Sequence, residues 1–215
     1  MDRSNTKTKI FLAAKELFYK NGYKRTSCTQ ISQAAGVNVA LINYYYKSKL
    51  KLGVEVYNSF TRDLRDLMFK KVIETGFDYE PIVAVGIEYY IVTGLKKTDA
   101  KFEKFSTELC VENGLLDTEH YVGFNVKYLK EKYDLDFSDD EIEHAYCCFA
   151  SIINGMTVIR RSGIVEPRNV ASGDTLNVLL KILDFNKKQR ADIISKAKLI
   201  SSNIDISLSD GFVLY

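Results

Sequence analysis

Only two prolines, Pro81 and Pro167, interrupt the 215 residues of this chain. Proline removes a backbone donor and clashes with the preceding helical turn, so a sequence this poor in it can sustain long helices. The stretches between the prolines carry apolar residues at the i, i+3, i+4 spacing of an amphipathic helix, and no set of alternating segments punctuated by turn residues reads as a sheet. An all-α fold of about nine to ten helices is predicted. The hydrophobic share, 46%, is enough to bury a sizeable core and excludes a disordered tail. No run of eighteen or more apolar residues occurs and the opening MDRSNTKTK is polar, so no membrane partner and a cytoplasmic location are expected.

Charge divides the chain. Residues 1–50 hold nine Lys or Arg against Asp2 and Glu16, a net of +7, whereas the remainder holds 21 basic and 26 acidic residues, a net of −5. The whole-chain value of +2 hides this asymmetry, and a +7 segment suits a polyanionic partner. Within it, residues 10–49, IFLAAKELFYKNGYKRTSCTQISQAAGVNVALINYYYKSK, read as three short helices. In the first, Ile10, Ala13, Ala14, Leu17 and Phe18 form one apolar stripe, and Gly22 stops it. Ser27 is a good N-cap for the second, where Ile31, Ala34 and Ala35 give the buried face, and Gly36-Val37 supplies the tight turn of a helix-turn-helix. Asn38 caps a third helix from about Val39 to Tyr45 that lacks charged residues. Its outer face needs something to pack on, and the floor of a DNA major groove would serve.

The ordered set of Ala13-Ala14, Leu17-Phe18, Gly22-Tyr23, Thr26-Ser27, the Ile31 to Val37 block, the Tyr44-Tyr45-Tyr46 cluster and Ser48-Lys49 resembles the N-terminal DNA-binding domain of the TetR family of transcriptional regulators. The resemblance implies phosphate contacts at Ser27, Thr29, Tyr44, Tyr45 and Lys49, and base-edge reading at Asn38, Val39, Ala40, Leu41 and Asn43. A helix N-terminus favours phosphate at Ser27 and Thr29, and an outward Tyr is at home against phosphate or sugar. Ile42 and Tyr46 read as core. Asn43 stands where many family members have Tyr, and Thr29 where Arg is frequent. Asn pairs with adenine N6 and N7, and Val, Ala and Leu reach only thymine methyls, so A/T-containing half-sites are expected.

The predicted domains are 1–50, the helix-turn-helix, and 51–215, a helical ligand-binding and dimerisation domain. Further helices are placed at about 49–74, from Pro81 to about Leu95, from Thr98 or Asp99 to Asn113, from an Asp117 cap through Tyr121, Phe124 and Tyr128, from a Ser138–Glu141 capping box to Arg161, and over 172–185 and 187–202, before a short tail. Two are too apolar for a monomer's surface. Phe149, Ile152, Ile153 and Met156 on one, and Leu176, Leu179, Leu180 and Leu183 on the other, are expected to pair with a second copy as a four-helix bundle, which makes the chain a homodimer. Tyr89, Tyr90, Phe102, Phe105, Phe124, Tyr128 and Asn154 are candidates to line an apolar pocket, although aromatics at helical spacing also read as plain core; Glu88, Glu108 and Glu112 could meet a cationic ligand or be solvated.

Cys28, Cys110, Cys147 and Cys148 lack zinc-site spacing, and His120 and His144 are isolated, so neither metal nor cofactor is expected. Cys28 lies beside DNA-contacting positions, where oxidation could interfere. No hydrolase, P-loop or dinucleotide motif occurs, so the chain reads as no enzyme. The reading is a DNA-binding regulator with double-stranded operator DNA as partner, a repressor released by a small, largely apolar effector; the rival is a dimeric helical scaffold with a vestigial helix-turn-helix.

Overall fold

The computed structural model describes residues 3–78, 80–112, 131–134, 136–162 and 172–215. Among them run α1 (Arg3–Asn21), α2 (Cys28–Ala35), α3 (Ala40–Tyr46), α4 (Lys49–Glu74), α5 (Pro81–Thr98), α6 (Ala100–Val111), α7 (Asp139–Ser162), α8 (Ser172–Ile182) and α9 (Lys187–Asn203), followed by a two-stranded antiparallel hairpin of β1 (Leu208–Ser209) and β2 (Val213–Leu214). The fold is all-α apart from that hairpin. The helix expected from Asp117 through Tyr128 lies outside the described residues, as does Pro167.

Local chemistry starts these helices where the side chains predict. Asp99 accepts the Phe102 N–H at 2.8 Å to open α6. Ser138 and Glu141 close the predicted capping box before α7, with the Ser138 N–H on the Glu141 carboxylate at 2.8 Å and the Glu141 N–H on the Ser138 hydroxyl at 3.2 Å. An unpredicted second box, Asn186 with Gln189, opens α9.

The chain forms two compact units, residues 1–64, 95–115 and 207–215, and residues 65–94 and 116–206. The buried residues of α4 are Leu52, Val56, Phe60 and Leu64 in the first unit and Met68 and Val72 in the second.

The first unit is built around aromatic rings. Phe18 of α1 stacks on Phe105 of α6 with centroids 5.6 Å apart, and Phe60 of α4 meets Phe102 at 4.6 Å. Gly53 lets α4 approach closely, since a Cβ there would stand 3.0 Å from both Leu109 and Tyr23. Phe102 and Phe105, candidates for a ligand pocket, are fully buried in this cluster.

In the second unit α7 packs on α8 and α8 on α9. At Gly86 the α5 backbone comes so near α9 that a Cβ would lie 2.7 Å from that of Ala197. Arg65 grips Glu88 through two hydrogen bonds of 2.8 and 3.0 Å, and Lys71 donates to the Asp205 carbonyl. Glu80, ahead of α5, accepts from Tyr133 at 2.7 Å, Lys132 at 2.8 Å and Lys196 at 3.1 Å. Burial alone would raise its pKa, but these three donors outweigh it and hold the carboxyl at about 2.

Leu176, Leu179, Leu180 and Leu183 require a correction. All four have no accessible surface in the single chain, so in this arrangement they cannot touch a second copy. Positions 176, 179, 180 and 183 form one i, i+3, i+4, i+7 stripe that faces the chain's own core. The opposite stripe carries Val178 and Ile182, 36% and 38% exposed.

Candidate nucleic-acid interface

The first unit holds α1, α2 and α3 in the helix-turn-helix relation. Ser27 caps α2 by accepting the Gln30 N–H at 3.2 Å while the Gln30 side chain accepts the Ser27 N–H at 2.8 Å. The turn after α2 needs Gly36, whose φ of +64° is a left-handed conformation that glycine adopts without steric cost. Asn38 then accepts the Ala40 N–H at 2.9 Å and opens α3. The buried face of α2 is Ile31 with Ser32, whereas Ala34 is exposed and Ala35 half-buried.

Two residues anchor α3 from below. Ile42 is fully buried, and the Tyr46 ring is tucked under the domain with its hydroxyl donating to the Lys7 carbonyl of α1 at 2.9 Å. Burial pushes the Tyr46 phenol up to about 12, so it stays a neutral donor. With that pair inward, helical spacing turns Asn43 and Tyr44 outward. Thr29, Asn38, Ala40 and Asn43 are exposed, Val39 is 44% and Tyr44 58% exposed, and Leu41 and Tyr45 are half-buried. The Tyr44 and Tyr45 rings meet edge to face at 4.9 Å, which steadies the outer aromatic pair. All the base-reading and phosphate candidates therefore lie on one connected unit. Beside them an open groove of about 430 Å³ runs from Thr6 of α1 past Ser32, Gln33 and the Gly36–Asn38 turn to Leu41.

Lys49 is half-buried rather than extended into solvent. Its ammonium donates to the carbonyls of Tyr23 and Thr26, each at 3.1 Å, and lies 4.2 Å from the Tyr23 ring centre. It ties the start of α4 to the turn between α1 and α2, and two of its three N–H groups are engaged in doing so.

Sequence reasoning passed over several supports of this surface. Thr26, 1% exposed, donates to the Gly22 carbonyl at 2.8 Å. From α6, Glu108 accepts the Lys24 N–H at 2.8 Å, Lys104 donates to the Asn21 carbonyl at 2.8 Å, and Glu112 pairs with the Lys24 ammonium at 3.4 Å. Residues 104, 108 and 112 lie four apart, so they form one polar stripe along α6 that grips the end of α1. That i, i+4, i+8 pattern of charge was legible; its partner, 84 positions away for Glu108, was not.

The remaining candidates are dispersed. Tyr89 and Tyr90 sit edge to face at 5.5 Å in the second unit, with Asn154 half-buried in that unit. The Tyr90 hydroxyl is buried and makes no hydrogen bond among the described residues, and burial, with Tyr89 adding, pushes its pKa up to about 12. Phe102 and Phe105 belong to the other unit, and Phe124 and Tyr128 lie outside the described residues. Glu88 and Glu108, considered for a cationic ligand, are committed to Arg65 and Lys24. Ile152, Ile153 and Met156 of α7 are half-buried and Val158 is 42% exposed; the Phe149 side chain is outside the described set. All four cysteines are free, with Cys28 half-buried at the start of α2. No helix among the described residues is long and apolar enough to cross a membrane.

This is the surface of a helix-turn-helix DNA reader. Residues 10–56 match the model of the bacterial regulatory proteins of the tetR family. The chain is 28% identical over 134 residues to the HTH-type transcriptional regulator QacR of Staphylococcus aureus (strain Mu50 / ATCC 700699), covering 55% of this chain and 69% of that protein. It is 37% identical over 72 residues to YttP of Bacillus subtilis (strain 168), assigned as an HTH-type transcriptional regulator, covering 34% of this chain but only 32% of that one. Among solved structures, RolR without ligand superposes with a TM-score of 0.55 at 11% identity over 89% of this chain and 96% of that one. A candidate transcriptional regulator from Rhodococcus sp. RHA1 does so at 0.51 and 20% identity, over 86% and 97%; both share the fold. Residues 10–56 thus carry a DNA-binding domain of the tetR type, and the chain resembles the TetR family of transcriptional regulators in sequence there and in fold beyond it.

Proposed function

We propose that the chain is a repressor that binds a two-half-site operator as a homodimer and is released from it by a small, largely apolar, neutral molecule. The observation that carries the DNA side is the exposed, charge-free front of α3, Val39, Ala40, Asn43 and Tyr44, set on a segment of net charge +7. A short helix with such a front is stable in water only at a cost, and a major groove offers it both hydrogen-bond partners and thymine methyls. Asn43 reads an adenine and Val39, Ala40 and Leu41 touch thymine methyls, so half-sites contain A/T steps. Asn38 contributes through its amide N–H groups, since its oxygen is held by Ala40. Ser27, Thr29, Tyr44 and Tyr45 fix the register on phosphates, and the third N–H of Lys49 adds one more such contact.

The second copy docks on the outer stripes of α7 and α8. Val158, Val178 and Ile182 are the exposed apolar residues that favour this face, with Ile152, Ile153 and Met156 beside them. The effector sits in the second unit against Tyr89, Tyr90 and Asn154. The unpartnered Tyr90 hydroxyl supports an effector that carries a hydrogen-bond acceptor, and the commitment of Glu88 to Arg65 argues against a cation.

The test is a gel shift on the DNA flanking the chain's own gene, repeated with hits from a thermal-shift screen of hydrophobic compounds. Retardation relieved by a hit supports repression with release, and operator DNA should then weaken that compound's binding by the same factor. Hits that stabilise the protein and leave DNA affinity unchanged would sink the release mechanism.

A further inference from the structure

The last nine residues close back on the DNA-binding unit. Phe212 is 1% exposed and inserts between three helices: its ring lies 4.9 Å from Phe105 of α6, 5.1 Å from Tyr19 of α1 and 6.2 Å from Phe60 of α4. The ring thus fills the centre of the aromatic cluster. The turn is shaped to deliver that ring. Gly211 has φ +74° and Phe212 itself φ +59°, a left-handed conformation that a bulky residue adopts only where its surroundings compensate.

The hairpin itself is small. Each strand has two residues, and Ser207 and Tyr215 close it through backbone hydrogen bonds of 2.9 and 3.1 Å. A sheet this small is marginal alone, so its order derives from docking. Val213 and Tyr215 are 54% and 62% exposed. The ion pair of Asp210 with Lys101 at 2.7 Å is exposed on both sides, where such pairs add little. Phe212 is the one fully buried side chain of the hairpin, with Leu208 and Leu214 half-buried beside it.

The consequence reaches the recognition helix through α1. Phe212 touches Tyr19, whose hydroxyl donates to Asp99 at 2.5 Å, and Phe105, which stacks on Phe18. At its other end α1 supplies the Lys7 carbonyl that holds the Tyr46 hydroxyl at the base of α3. Loss of Phe212 leaves an apolar void beside α1, and neighbours of a void relax only partly.

We propose that residues 207–215 form a C-terminal clasp on the DNA-binding unit: docking of Phe212 locks α1 against α4 and α6 in the DNA-binding arrangement, and release of the hairpin weakens the hold on DNA. The clasp is a conformational device of this chain, distinct from the effector site, and it predicts that cleavage or blocking of the C-terminus acts on DNA affinity.

The test compares the full chain with Phe212→Ala, Phe212→Leu and a chain ending at Ile206. Affinity for the duplex bound by the unmodified protein is read beside amide hydrogen exchange, with α9 as the internal reference; the exchange arm does not depend on which DNA is bound. The expectation is that Phe212→Ala and the shortened chain bind about tenfold or more weakly and lose protection in α1 while α9 keeps its own, and that Phe212→Leu stays within about threefold. The peptide SLSDGFVLY added to the shortened chain should restore α1 protection. Equal loss in α1 and α9 would make Phe212 a general core residue, and unchanged affinity and α1 protection in Phe212→Ala would make the tail a passive terminus; either result overturns the clasp. Should the shortened chain aggregate, the Ala and Leu variants alone carry the decision.

Discussion

Helices α3 and α8 are both short and both leave apolar groups uncovered, yet the company those groups keep differs. In α3 the inward side is only Ile42 and Tyr46, and what faces out mixes Val39 with Asn43 and Tyr44. In α8 four leucines at 176, 179, 180 and 183 vanish into the chain's own core, and the exposed positions among the described residues are Val178 and Ile182 with Lys181 between them. Burial demand alone says that both helices need cover. The chemistry of the uncovered stripe says what kind: polar tips beside methyl-sized groups suit base edges, whereas bare aliphatic groups suit another protein surface.

The largest expected effect separates the two stripes of α8. Leu179→Ala should cost about 2–5 kcal/mol of stability in urea titration, and Ile182→Ala about 0.5 kcal/mol or less for the isolated subunit. Similar costs at both positions would erase the distinction. In the same helix, Val178→Glu combined with Ile182→Glu should shift sedimentation toward monomer at micromolar concentration without unfolding the chain; a dimer that survives would place the second copy elsewhere.

On α3 the matching substitution is Asn43→Ala, which should cost about 1–3 kcal/mol at one base pair and relax the preference there. A selection experiment that recovers the same preferred sequence for the variant would remove Asn43 from base reading.

Acid distinguishes the two units more gently. The Glu80 carboxyl is lowered from 4.5 to about 2 in the folded chain, so its contribution is fully present above about pH 4.5 and is lost as pH falls through 2. The loss should be on the order of 1 kcal/mol once solvent screening is allowed for. Glu80→Gln should flatten that limb of the stability curve, and an unchanged limb would show that other carboxyls govern it.

The smallest effect belongs to Lys49. Lys49→Ala should weaken binding to all sequences alike and lower the salt slope by about one ion. A slope that stays put would mean that its two carbonyl contacts, at Tyr23 and Thr26, are its whole role.

Much of the reader was legible in the chain because its determinants are local. The Ser27 cap, the Gly36 turn and the Asn38 cap each act within three residues, and the Ile42–Tyr46 pair follows from the helical period. The C-terminal hairpin was legible too, through Asp210-Gly211 flanked by apolar residues in alternation with polar ones from Ile204 onward. It went unread because strands of two residues fall below what periodicity detects.

What periodicity cannot supply is which apolar stripe meets its own chain. The sequence by itself determined that the chain is helical, where the helices start, and that residues 1–50 are charged for a polyanion. Only the tertiary structure decided that the α8 leucines are core, that Phe102 and Phe105 fill an aromatic centre, that Lys49 binds carbonyls, and that Phe212 completes the DNA-binding unit. The physical reason is range: caps and turns are satisfied by neighbours along the chain, whereas burial is settled by partners about a hundred positions away, as between Phe105 and Phe212.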